Sequence, residues 1–190
     1  MDVSVALFLA LLAVVGISRL AELALSRRHQ RRLSRDKVAL RREPRFRWMV
    51  ALHVAVIAGA AVEVIALRRP LIPVVAVCAG SVFVFGAALR WWAIWSLGVH
   101  WNVQVMDSAP LGVVVTGPFR WIRHPNYLGV FLELAALPLI HGAYIAALVA
   151  VAGNIWLLRS RLRVEEPMLA AHPEYRRAME GKARFVPGLF

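Results

Sequence analysis

The stretch VSVALFLALLAVVGISRLAELAL, residues 3–25, decides the class of fold this chain adopts. It is as long as the roughly 20 predominantly apolar residues that an α-helix needs to cross about 30 Å of hydrocarbon. Its charged interruptions are Arg19 and Glu22. Three residues apart, they share one helical face near the basic end, where the arginine snorkels and pairs. No basic segment precedes the run and no persuasive cleavage site follows it, so it is read as a retained span rather than a removed leader.

Outward from this run, composition agrees. Of 190 residues, 60% are hydrophobic and 18% charged, against near 50% and 25% in an ordinary soluble domain. The net charge of +12 is gathered into short connectors. Arg27, Arg28, Arg31, Arg32, Arg35, Lys37, Arg41, Arg42, Arg45 and Arg47 face only Asp36 and Glu43 there. Basic runs between apolar stretches follow the positive-inside rule and suit anionic lipid headgroups. No zinc-finger or RNA-binding signature accompanies them, which argues against nucleic acid as a partner. The single cysteine, Cys78, excludes an intrachain disulfide and is expected as a small buried hydrophobe.

Residues 48–67 form a second span, anchored by Trp48 and carrying His53 and Glu63. Arg68, Arg69 and Pro70 end it, and residues 73–97 form a third, with Trp91, Trp92 and Trp95 as an interfacial belt. Residues 100–125 are read as loop, punctuated by Pro110, Gly112, Gly117 and Pro118. A short helix over 126–139, a turn at His141 and Gly142, and a helix over 143–158 make a hairpin, followed by a polar tail from Arg159. The expectation is an all-α integral membrane protein of about five transmembrane helices. The last two form the hairpin, and a cytoplasmic loop and C-terminal tail build a pocket; four spans result if the hairpin counts as one broken element. One domain spans 1–190, with three spans in 1–97 and the loop, hairpin and tail in 98–190. Placing the basic connector inside puts that loop and tail in the cytoplasm, and Arg68 and Arg69 on the far side.

Two polar groups stand out, because polar side chains beside a bilayer are costly unless satisfied. The first is GPFRWIRHPNYLG, residues 117–129. Pro125 suits the first turn of a helix, with His124 or Asn126 as cap; the bland reading makes Arg120, Arg123 and Tyr127 interfacial anchors. The second is Arg159, Arg161, Arg163, Glu165 and Glu166, in which Glu165 and Arg161 are spaced to pair on a helix. Glu133 lies inside the short helix and needs a partner, Asn154 or Arg90, while His53, Glu63 and Asn154 are candidates to satisfy one another. Soluble dinucleotide, Walker, nucleophile-elbow and zinc signatures are missing, and the histidines form no recognisable metal cluster.

At these residues the chain resembles the isoprenylcysteine carboxyl methyltransferase family of integral membrane enzymes. Residues 115–129, VTGPFRWIRHPNYLG, followed by Glu133, resemble the family's Gly-Pro-Tyr-Arg-x-x-Arg-His-Pro-x-Tyr-x-Gly pattern, with Phe119 where tyrosine is common. RLRVEE, residues 161–166, resembles its later Arg-x-x-x-Glu-Glu signature, and the tail with Tyr175 and FVPGLF, residues 185–190, also fits. The resemblance covers most of 98–190 and implies S-adenosylmethionine as methyl donor, held without a Rossmann domain; no metal is expected, since the histidines form no cluster. It implies that His124, Tyr127 and Leu128 line the donor pocket, that Glu165 or Glu166 contacts the donor's polar portion, and that Arg161 braces the reacting end. A carboxylate acceptor would need no base and would sit on Arg120 or Arg123. A phenol or enol would need one, with Glu133, His53 and His100 as candidates.

The first half, including residues 19–29 and 48–63, resembles a bacterial branch of the family that O-methylates long-chain alkylpyrones or alkylresorcinols beside type III polyketide synthases. That branch is favoured over methyl-ester formation on a prenylated cysteine; an amine on a phospholipid headgroup and a non-enzymatic membrane scaffold are the remaining readings. The resemblance implies a bacterial inner membrane, a lipophilic small-molecule acceptor and an active site facing the cytoplasm.

Overall fold

The computed structural model describes residues 2–35, 45–107 and 112–186. Asp36, Lys37, Arg41, Arg42 and Glu43 of the basic connector, Pro110, and the closing residues 187–190 lie outside the described residues, as does the side chain of Arg35. Six α-helices follow in chain order: α1 Val3–Arg35, α2 Phe46–Ala66, α3 Pro73–Leu97, α4 Pro125–Leu139, α5 Tyr144–Ala170 and α6 Pro173–Met179. Short 3-10 turns occupy Gly98–His100 and Gly117–Arg120. Proline opens α3, α4 and α6, where the missing N–H costs no helical hydrogen bond. Among the described residues there is no strand, and a parallel bridge joins Ile122 to Ala183.

The protein is an all-α integral membrane protein. Four helices, α1, α2, α3 and α5, are long and apolar enough to cross a bilayer. Their outer faces carry large bare hydrophobics such as Val74, Trp95 and Leu148, at 73%, 75% and 70% exposure, a surface that water would not tolerate in such quantity. Cys78 belongs to this outer face and is exposed, correcting the expectation of burial. It keeps apolar company because lipid takes the place of a protein core.

The fifth segment, α4, has 15 residues and reaches only about 22 Å at 1.5 Å per residue. It nevertheless runs the depth of the bundle. The turn after it meets the start of α1 through His141 Nε2 and Ser4 Oγ, 3.2 Å apart. The first turn of α5 meets the end of α2, where Ile145 and Ala146 N–H groups donate to Glu63. The helical hairpin is therefore present, with one long arm and one short. Arg69 is held by Glu63 at 2.9 Å and lies over the Tyr144 ring, so at this end one of the two expected far-side arginines is neutralised.

Two boundaries differ from expectation. α1 continues unbroken through the first basic residues to Arg35, and α5 continues through the second polar patch to Ala170. Residues 159–166 are thus the last turns of a spanning helix rather than the start of a tail, which fixes the angular spacing of Arg161, Glu165 and Glu166.

α3 and α4 pack closest, and glycine makes that possible. A Cβ on Gly129 would stand 2.8 Å from the Gly86 carbonyl oxygen and 2.8 Å from the Arg90 Cβ. A Cβ on Gly86 would stand 3.0 Å from the Glu133 nitrogen. Small residues let helices in lipid approach to backbone contact. The approach seals a buried ion network among α1, α3 and α4. Arg90 donates to Glu22 and, at 3.3 Å, to Glu133; Arg19 donates to Glu22 at 3.1 Å and also to Glu133. Two arginines and two carboxylates balance to zero net charge, the condition on which ions stay buried at tolerable cost. Arg90 is a partner of Glu133, as expected; Asn154 is not one, and Arg19 takes that place.

Candidate active site at the basic end

The first polar patch enters α4 from the loop. His124 occupies the N-cap position, but neither its ring nor Asn126 caps the helix. Instead His124 Nε2 lies 3.3 Å from Glu166 Oε1 on α5, and its ring stacks on Tyr127 with centroids 5.4 Å apart. The Tyr127 hydroxyl donates to Glu165, and the Arg161 guanidinium lies 5.0 Å over the Tyr127 ring. Adjacent glutamates on a helix point about 100° apart, so Glu165 serves the tyrosine and Glu166 the histidine.

A strap from the C-terminal segment fastens this arrangement. Arg123 and His124 N–H groups donate to the Ala183 and Arg184 carbonyls at 2.9 and 3.0 Å. The Arg184 guanidinium grips both oxygens of Glu166 at 2.8 and 2.7 Å. Phe185 lies against the His124 ring, and Lys182 Nζ donates to the Phe119 carbonyl at 2.8 Å. Tyr175 on α6 stands nearby with its phenol pushed up to about 12, first by burial and then by the Glu165 and Glu166 charges, against a lowering pull from Arg123.

From the opposite side the long end of α1 holds the loop after α3. Ser26 Oγ accepts from the Val103 N–H at 3.1 Å and donates to Asn102 Oδ1 at 3.2 Å. His29 Nδ1 lies 2.7 Å from the Trp101 carbonyl. Arg161 NH2 donates to the Val103 carbonyl at 2.8 Å. Trp101, Asn102 and Val103 thereby become a shelf inside the basic end.

Two cavities open against this shelf. One, of about 140 Å³, is the more polar of the two: His100, Arg123, His124, Asn126, Glu165 and Tyr175 line it beside apolar groups such as Val113 and Phe119. The other, of about 190 Å³, is lined from α1, α2, α4 and α5, with Arg90 from α3, and is mostly apolar, with His53, Arg19, Glu22, Arg90 and Asn154 as polar exceptions. Trp101, Asn102, Asn126, Tyr127 and Arg161 line both. The cavities therefore share a wall, one polar and facing the loops, the other apolar and reaching into the span region.

Of the residues singled out in the sequence, Arg123, His124, Tyr127, Glu165 and Arg161 line the polar cavity, and His53 lines the apolar one. Leu128 and Glu133 line neither. Leu128 turns off the tyrosine's face of α4, and Glu133 is committed to the ion network. Glu166 also stands outside the lining and acts through His124 and Arg184. Sequence reasoning missed Trp101 and Asn102, which carry no motif; their importance comes from the shelf that Ser26 and His29 impose.

A polar cavity backed onto an apolar one in a bilayer protein can admit reactants of opposite solubility. The model of the isoprenylcysteine carboxyl methyltransferase family matches residues 77–171, half of the chain, and the chain belongs to that family. It is therefore a membrane methyltransferase. The chain is also 27% identical over 164 residues to a Bacillus subtilis (strain 168) protein, "Uncharacterized protein YpbQ", covering 86% of this chain and 96% of that one. That name assigns no substrate.

Proposed function

We propose that the protein transfers a methyl group from S-adenosylmethionine to an oxygen of a long-chain phenolic or enolic lipid, at the cytoplasmic face of a bacterial inner membrane. The shared wall of the two cavities carries this reading. The donor is charged and water-soluble, whereas each CH₂ of a lipid tail costs roughly 0.8 kcal/mol to expose to water. Adjoining cavities let each reactant keep its own medium and still meet.

The polar cavity suits the donor's chemistry. Arg123 Nε, Trp101 Nε1 and Asn126 Oδ1 are buried in its wall without hydrogen-bond partners among the described residues. Such atoms are costly unless a ligand completes them. Arg123 would take a carboxylate, Glu165 would take ribose hydroxyls or an amine, and the Tyr127 ring would offer its electron-rich face to a cationic centre. When bound, S-adenosylmethionine supplies an electrophilic methyl on a sulfonium. The chain's own work is alignment and exclusion of water: Arg161, held by Val103 and lying over Tyr127, braces the boundary between the cavities. The basic end of the bundle is the side expected to face the cytoplasm.

Calorimetry of the purified protein with S-adenosylmethionine tests the donor, and saturable binding is expected. Labelled donor offered with alkylpyrone, alkylresorcinol and farnesylcysteine tests the acceptor. Labelling of the first two is expected; labelling of farnesylcysteine alone would replace this acceptor with a prenylated cysteine carboxylate. A type III polyketide synthase is the class of enzyme that would supply the favoured lipids.

A further inference from the structure

The apolar cavity is more than a slot for hydrocarbon. Asn154 projects from α5 into it and takes no part in the polar cavity. Its Nδ2 is buried with no hydrogen-bond partner among the described residues. Arg19 Nε and Arg90 Nε on the same wall are also unpartnered, although the rest of each guanidinium is engaged by Glu22 and Glu133. Trp101 Nε1 and Asn102 Nδ2 add two more unmatched donors at the shared wall. These five atoms are N–H donors, against one unmatched acceptor at the shared wall, Asn126 Oδ1. A tail of CH₂ groups satisfies none of them, and a buried donor left unpaired costs about 1–3 kcal/mol.

His53 supplies the complementary feature. Its Nδ1 lies 2.8 Å from the Met49 carbonyl oxygen, which only accepts. Nδ1 therefore carries the proton, and Nε2 keeps a lone pair in the wall of the same cavity. The charged groups around the imidazole are Arg19 and Glu22 from α1, Arg90 from α3, Glu133 from α4 and Arg161 from α5. Both carboxylates are spoken for by arginines. Unlike them, the histidine is not tied into an ion pair. It stands one helical turn from Met49, whose sulfur lies 2.9 Å from Arg161 NH1 at the boundary between the cavities.

Building on the methyl-transfer reading above, we infer that the acceptor's whole polar head enters the apolar cavity, where His53 Nε2 removes the proton of its reacting hydroxyl and Asn154 Nδ2 donates to a second head-group oxygen. The acceptor is then a long-chain lipid with a weakly acidic hydroxyl and at least one further oxygen. In the step, the acceptor O–H bond breaks and its proton goes to His53 Nε2. An O–CH₃ bond forms from the oxygen's electron pair, and the pair of the donor's methyl bond stays with the donor. One positive charge leaves the donor and one appears on the imidazole, so the net charge between the helices does not change. A carboxylate acceptor, already deprotonated at neutral pH, would give His53 nothing to do.

The experiment uses the full-length protein in detergent, with a 5-alkylresorcinol and a 3-alkylphenol of equal tail as probes. Without methyl donor, Asn154→Leu is expected to weaken alkylresorcinol binding about tenfold, the loss of one hydrogen bond. Its affinity for the one-hydroxyl alkylphenol stays within about twofold, as expected where no such bond is lost. With donor, His53→Gln is expected to bind alkylresorcinol as the wild type does and to turn over about 100-fold more slowly at neutral pH. Its rate recovers as pH approaches the phenol's own pKa near 10. Equal affinity of Asn154→Leu for both probes at the wild-type level, undiminished turnover of His53→Gln, or a loss in that variant that is the same at every pH would each overturn the inference. Failure of the wild type to bind S-adenosylmethionine would instead remove the methyl-transfer reading, and the donor-free binding comparison would still report on Asn154.

Discussion

His124 Nε2 and Glu166 Oε1 meet at 3.3 Å across 42 residues of sequence. One closes the loop before α4 and the other lies near the end of α5, so their contact brings the two polar patches to one place. Arg184 holds the same carboxylate from the strap. A three-way junction of loop, helix and strap thus forms beside the polar cavity: His124 lines it, and Glu166 and Arg184 are positioning residues behind that ring.

Releasing this junction should loosen the strap before it disturbs the bundle. Arg184→Ala removes two charge-assisted hydrogen bonds from Glu166, and Glu166→Gln weakens both of that carboxylate's partners. Each is expected to lower S-adenosylmethionine affinity about tenfold, the order of one charged hydrogen bond. Calorimetry reads the affinity, and limited proteolysis should show faster cleavage within residues 180–186 at unchanged thermal stability.

The ion network should tolerate loss of a pair better than loss of one member. Glu133→Gln leaves two arginines on one remaining carboxylate, and breaking a buried pair in this way costs about 3–5 kcal/mol. The double variant Arg90→Met with Glu22→Gln keeps Arg19 and Glu133 matched and is expected to cost less than Glu133→Gln alone. Thermal unfolding in detergent checks the ranking; equal destabilisation by single and double variants would contradict it.

Gly129→Val should prevent α3 and α4 from closing, because even the first added carbon meets backbone at 2.8 Å. Gly16→Ala is its control, since a Cβ there meets nothing within 4 Å. Expression of monodisperse protein is expected from the second and not from the first.

Tyr175 should show a late ionisation step in an absorbance titration, at about 12 where an ordinary phenol titrates at 10.0. Tyr175→Phe removes that late step. The sign for stability follows from the raised value: the folded state holds this proton more tightly than the unfolded chain. The contribution is complete below pH 10 and is lost as pH rises through about 12.

Much of the fold was legible because lipid imposes a simple rule on sequence. A helix that must satisfy its own backbone hydrogen bonds in hydrocarbon shows itself as a long apolar run, and residues 3–25, 48–67 and 73–97 are such runs. Their ends were less legible. α1 and α5 continue into charged segments because arginine and glutamate are good helix formers, and hydropathy marks the bilayer's edge rather than the helix's. Cys78 and Asn154 depart from expectation for a related reason: a residue's place in an apolar run does not say which face of the helix it takes.

By itself the sequence determined the membrane class, the hairpin, the polar patches around His124 and Glu166, and the family resemblance that names them, because each is written in a contiguous stretch of residue types. Only the tertiary structure decided that Arg19 joins Glu133, that Trp101 and Asn102 form a shelf, and that a polar cavity shares a wall with an apolar one. Those relationships join residues on different helices. Their geometry depends on how closely backbones approach, as at Gly86 and Gly129, and no local pattern along the chain encodes that distance.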